Sequence, residues 1–141
     1  MITIAPEIIE DRLRAFPRAL DSGGGAGYLH IYTSPAPVEA GGTPPAESTL
    51  LCGLALPYPS VTTYTAGQLN LTPSSTPIMA TVTGECAWAR FTTHQGLWVA
   101  DMDIGLIGSG ATLELHNGQS PPSLMLYAGG NFLLSAIQFT E

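Results

Sequence analysis

Asp101 and Asp103 stand two positions apart and are the first place to look for chemistry. Two carboxylates on one strand face can share a proton or hold a cation. Calcium wants about six to eight oxygens, and no EF-hand spacing accompanies this pair, so a solvated sheet face is expected. His30, His94 and His116 are dispersed, without the close His or Cys pairs that mark zinc sites, so no metal is expected. Gly108-Ser109-Gly110 is too short for a Gly-x-Ser-x-Gly elbow and reads as a turn. The glycines Gly23 to Gly25 follow a helix instead of preceding one, so they present no helix N-terminus to a phosphate. Cys52 and Cys86 lie in strand-like segments and should pack as small buried thiols. No pattern points to an enzyme or a cofactor. Arg90, beside Trp88, has a structural role to play by stacking on the indole or pairing with Asp101 or Asp103.

The element that positions these residues is a hairpin over Thr83 to Gly105. In Glu85 to Phe91, strict alternation puts Cys86, Trp88 and Arg90 on one face and Ala87, Ala89 and Phe91 on the other. Thr93-His94-Gln95-Gly96 supplies the turn. Leu97 to Ile104 returns with Trp98, Ala100, Met102 and Ile104 on one side, against Val99, Asp101 and Asp103. Both tryptophans lie here, as does the only arginine outside the N-terminal segment.

That N-terminal segment reads as a helix, with Ile9, Leu13, Phe16 and Leu20 forming one apolar stripe. Pro6 suits its first turn, and Pro17 should kink or tighten its last. Asp21 to Gly25 then ends the helix on a flexible joint, from which it either folds back or reaches a neighbour. From Tyr28 onward short strands alternate with Gly and Pro clusters. They fall at Tyr28 to Thr33, Leu50 to Leu56, Gln68 to Leu71, Ile78 to Val82, Thr112 to His116, Leu124 to Tyr127 and Phe132 to Thr140. Residues 35–47 and 57–65 read as loops. The expected fold is mainly β, an antiparallel β-sandwich with a jelly roll as its leading form and one N-terminal helix. The organisation that follows is a helical arm over 1–22 and a sandwich domain over 23–141.

The 141 residues suffice for one domain with its own core. No basic leader with an apolar core is seen, so no secretory signal is expected. No apolar run of about 18 residues suggests a membrane span. Only 11% of residues are charged, against about 25% in an ordinary soluble domain, and lysine is absent. A net charge of −7 argues against nucleic acid, whose phosphates need clustered Lys and Arg. Low charge with positive mean hydropathy suggests that neighbouring subunits cover much of the outside. The helix stripe (Ile9, Leu13, Phe16) and the tyrosines of the 57–65 loop (Tyr58, Tyr64) are the candidate contact residues.

The order of segments resembles a family of small structural proteins of tailed phages and prophages. Gly27-Tyr28-Leu29-His30-Ile31-Tyr32-Thr33-Ser34-Pro35-Ala36-Pro37 after a helix looks like that family's opening. Leu50 to Leu56, Gly84-Glu85-Cys86-Ala87-Trp88-Ala89-Arg90-Phe91, Val99 to Gly105 and the closing Leu133 to Glu141 keep its order. Pro57 to Thr65 and Asn117 to Gly130 depart from it. The resemblance implies a virion component made in the host bacterial cytoplasm, where a structural disulfide is not expected. The implied role is a capsid decoration or cement protein, partnered by the major capsid protein and by copies of itself as a dimer or trimer. A tail, neck or fibre component, such as a carbohydrate-binding module using Tyr58, Tyr64 and Tyr127, is the alternative.

Overall fold

A computed structural model describes residues 3–140. The N-terminal stripe forms two short helices in place of one, α1 (Pro6–Leu13) and α2 (Ala15–Asp21), joined at Arg14. Pro17 accounts for the break. It has no N–H to give Leu13 O, and its ring crowds the carbonyl four residues back. The Arg14 N–H still bonds Glu10 O at 2.9 Å and the Arg18 N–H bonds Arg14 O at 3.1 Å, so the helix is kinked without being lost.

Twelve strands follow among the described residues. β1 (Tyr28–Tyr32), β2 (Leu50–Ala55), β3 (Val61–Thr65) and β4 (Gln68–Thr72) precede two very short ones, β5 (Ile78–Met79) and β6 (Gly84–Glu85). The central hairpin is β7 (Trp88–Thr92) and β8 (Trp98–Leu106); β9 (Leu113–His116), β10 (Met125–Leu126), β11 (Asn131–Leu134) and β12 (Ile137–Thr140) come after it. The largest sheet has seven strands in the order β2-β1-β7-β8-β9-β11-β5, with separate β12-β4-β3 and β10-β6 sheets. The seven-stranded sheet curls until its edges nearly meet. Just beyond β5, the N–H groups of Thr81 and Val82 both donate to Leu51 O on β2, at 3.0 and 3.3 Å. The architecture is therefore mainly β with one N-terminal helical segment and a nearly closed, barrel-like main sheet.

Several expectations change. Val61 to Thr65 is a strand, because the two-residue turn Ala66-Gly67, both at positive φ, folds it back on β4. Phe132 to Thr140 is two strands, since the chain leaves the large sheet after Leu134 and enters the small one at Ile137. Glu85 to Phe91 is interrupted after Glu85, so Cys86 turns into the core and does not share the Trp88 face. Pairing is not wholly antiparallel: β8 and β9 run parallel over three pairs, from Ile104↔Leu113 to Leu106↔Leu115. Parallel neighbours normally need a long crossover. Here the overlap is so short that residues 107–112 suffice, and they fold tightly over Gly105. A Cβ at Gly105 would stand 2.5 Å from Ser109 Oγ and 2.7 Å from Ala111 Cβ.

The core lies between the curled sheet, the three-stranded sheet and the helices. Leu20, Leu29, Ile31, Phe91, Leu113 and Ile137 are wholly buried in it. Phe16 sits edge-on to Phe91 at 5.5 Å and against Phe139 at 5.0 Å. The helical segment thus folds back on its own domain, and Leu20 belongs to the same core as the strands. Asp21 ties its end down by accepting the Ser60 N–H and hydroxyl.

Candidate functional site: a pinned loop on the outer face of the central sheet

Three neighbouring strands concentrate the chemistry-bearing side chains. β1 pairs with β7 so that Tyr28, His30 and Tyr32 stand opposite Thr92, Arg90 and Trp88. Arg90 in turn faces Asp101 on β8. The guanidinium makes two parallel bonds to the carboxylate, Nε to Oδ1 at 2.8 Å and Nη2 to Oδ2 at 2.9 Å. This is the bidentate geometry that makes an Arg–carboxylate pair strong. Bonding to Asp101 raises the Arg90 pKa, outweighing burial. Trp88 stacks on Tyr32 at 4.4 Å, and Arg90 lies over the indole at 5.5 Å.

A bulge refines this face. The β7–β8 register shifts between Phe91 and Thr92, placing Trp98 opposite Thr92. Trp98 consequently joins the Arg90 side, not that of Met102, and Val99 packs against the core.

Residues 33–49 lie over this face, and the face holds them. Arg90 Nη2 donates to Gly42 O at 2.8 Å. Trp88 Nε1 donates to Thr33 O at 2.9 Å, and the Ser48 hydroxyl donates to the same oxygen at 2.7 Å. At the loop's base the Thr33 N–H bonds Thr49 O, and the Thr49 N–H bonds Thr33 Oγ1. Gly41, at positive φ, rests against the Trp98 ring, where a Cβ would come within 3.0 Å. A Pro-, Gly- and Ala-rich segment without regular structure is in this way fixed at both ends and in the middle. Its Val38 is fully exposed, and Leu97 and Trp98, at the start of the underlying β8, are 63% and 45% exposed.

The titratable groups have structural explanations. Asp101 is neutralised by Arg90, while Asp103 is held below the usual carboxylate range by hydrogen bonds from Thr112. The two aspartates share a face as expected, but each has its own partner, and Asp101 is held by Arg90 instead of standing in solvent. Burial, then Arg90, lowers the His30 pKa. Tyr28 lies between two of the histidines that look unrelated in sequence: His94 stacks on it at 5.8 Å and His30 leans on it at 6.3 Å. The Cys52 and Cys86 thiols are buried and donate to Met79 O and Leu124 O; burial pushes Cys86 up to about 12. Among the described residues no three of His, Cys, Asp and Glu gather as a metal site. No helix among them is long and apolar enough to cross a membrane. A cleft of about 430 Å³ is lined by Asn70, Gln138, Glu114 and the 110–112 loop, with neither a nucleophile–base pair nor an aromatic platform.

Of the candidate contact residues, Tyr58 is exposed and Ile9 half-buried. Leu13 and Phe16 are committed to the chain's own core. Tyr64 lies on β3, half-buried, its phenol oxygen accepting the Gly67 N–H at 3.1 Å. Tyr127 is exposed. Sequence reasoning passed over Val38, the lone large apolar residue of its loop, and the outward pair Met79 and Leu133 on β5 and β11. The composition of residues 35–47 would have flagged the first. In Phe132-Leu133-Leu134 every residue is apolar, so alternation gave no signal for the second.

No protein-family model, curated protein or solved structure matches the chain.

Proposed function

We propose that the chain is a virion structural protein of a tailed phage, a capsid decoration or cement protein that binds and stabilises the major capsid protein lattice. One observation carries the reading: twelve large apolar side chains are exposed among the described residues of a chain with only 11% charged residues. Side chains such as Val38, Leu97, Met79 and Leu133 stand on ordered loops and strands. Their burial against a neighbour would release apolar surface from water at little ordering cost. Such a protein acts by binding, without catalysis or cofactor, at the capsid surface after synthesis in the host bacterial cytoplasm. The sandwich or jelly-roll description belongs with this reading, the three-stranded sheet serving as a second layer over the curled one through Leu69, Leu71 and Ile137.

Tyr58 and Tyr127, about half exposed, favour a second reading as a tail, neck or fibre component that grips a glycan with aromatic rings. Counting copies of the chain in purified particles separates the two. Hundreds per particle support a shell component, whereas a dozen or fewer move it to the tail. Particles lacking a cement protein should also disassemble at lower temperature, because binding stabilises only the assembled state.

A further inference from the structure

Strand β3 pairs with β4 on one side only and forms an open edge of the three-stranded sheet. On the seven-stranded sheet the edge strand β2 is engaged at Leu51 O by Thr81 and Val82, and β6 and β10 have two residues each. Exposed edges are ordinarily guarded by charge, proline or a bulge. Val61-Thr62-Thr63-Tyr64-Thr65 has none of these: it is neutral throughout and pairs with β4 in one unbroken register.

The register also shows which main-chain groups are free. Around the two-residue turn, Thr65↔Gln68 is a mutually hydrogen-bonded pair, and alternation makes Thr63↔Asn70 and Val61↔Thr72 the same. The N–H and C=O groups of Thr62 and Tyr64 therefore point away from β4. Ser60, next in that outward series, already gives its N–H to the Asp21 carboxylate. Beyond Tyr64 the series ends at Ala66, which turns at positive φ.

We infer that β3 pairs with β3 of a second copy, antiparallel about a two-fold axis through Thr63. In that register Thr62 meets the copy's Tyr64, Tyr64 meets its Thr62, and four main-chain hydrogen bonds form. An axis through Thr62 would set Tyr64 against the capped Ser60, and an axis through Tyr64 would set Thr62 against the Ala66 turn. Only the Thr63 axis pairs all four outward groups of Thr62 and Tyr64, and the edge is self-complementary, as a two-fold interface must be. Val61 meets the copy's Thr65 and Thr63 meets itself, with no charge across the seam. Two three-stranded sheets become one of six. The pairing does not depend on the virion role proposed above.

Sedimentation of the isolated full chain across the micromolar range tests the pairing, with variants that keep the β3–β4 main-chain hydrogen bonds. The wild type should be a dimer. Thr63→Asp places like charges face to face on the axis and should yield a monomer with an unchanged circular dichroism spectrum. Thr63 in a non-hydrogen-bonded pair would lie about 4.5 Å, Cα to Cα, from its symmetry mate, within disulfide range. Thr63→Cys should therefore form a covalent dimer on mild oxidation, whereas Val61→Cys and Thr65→Cys should not. A wild type that stays monomeric, or a Thr63→Asp variant that dimerises as well as the wild type, overturns the inference. Preferential cross-linking through position 61 or 65 overturns the register.

Discussion

Arg90 is where a single side chain does most to shape this surface. It answers the Asp101 carboxylate, covers the Trp88 indole and holds Gly42 O, with only 11% of its side chain exposed. Arg90→Met would leave Asp101 half-sequestered without its partner, and a stranded charge costs more than the pair gains. The expected loss is about 2–4 kcal/mol in denaturant titration, with faster proteolysis within residues 35–47. Arg90→Met combined with Asp101→Leu should lose less than Arg90→Met alone; equal or greater loss would show that the loop contacts dominate instead. His30 gives a second expectation. Its folded pKa lies below 6.5, so the unfolded chain takes up its proton first as pH falls. Stability then rises with pH wherever the unfolded state binds more protons, so the His30 contribution is intact above about 6.5 and declines below it. His30→Gln should flatten the fall in unfolding midpoint between neutral pH and about pH 5; an unchanged slope would remove His30 as its source.

At the level of elements, tight approaches replace long connections. The parallel β8–β9 pair exists because the 107–112 loop folds onto the bare backbone of Gly105. Gly105→Val should force that loop away and cost about 1–3 kcal/mol, as overpacking does. A near-neutral thermal melt would mean the loop relaxes freely. The same loop shows what the amino-acid order could convey. Periodicity placed the helical stripe and the central hairpin, because each depends on local alternation, but it left Arg90 a choice between Asp101 and Asp103 that the strand register resolves in favour of Asp101. It misplaced Trp98, since one extra residue at Val99 flips Trp98 relative to the residues after it, and a bulge leaves no compositional mark. It also missed β3, where Pro57 and Pro59 argued for a loop while the strand-forming Val61, Thr62, Thr63 and Tyr64 stood just after them. The contact residues were the hardest to read. Leu13 and Phe16 form the kind of apolar stripe that serves either a core or a partner, and only the folded position of Phe91 and Phe139 decides between them.

Across the whole molecule, charge is scarce and apolar surface is displayed on rigid supports. A monomer could carry isolated apolar residues without consequence. Here, however, the exposed Val38 is held by a loop anchored at Thr33, Gly42 and Ser48, and Leu97 and Trp98 stand at the start of the strand beneath it. Surface substitutions away from buried features usually change stability by no more than about 0.5 kcal/mol. Val38→Asp with Leu97→Asp should therefore leave the unfolding midpoint almost unmoved, while adding two charges to a surface proposed to be covered. If the chain is a shell component, phage particles stripped of it should no longer take up this double variant, although they rebind the wild type. Thr63→Asp, by contrast, should weaken uptake only as far as dimerisation contributes a second foothold, since linked sites bind by effective concentration. Equal uptake of the double variant and the wild type would mean that the pinned loop faces solvent in the particle. The covered face would then have to be sought around Met79 and Leu133, on the far side of the curled sheet's own order of strands.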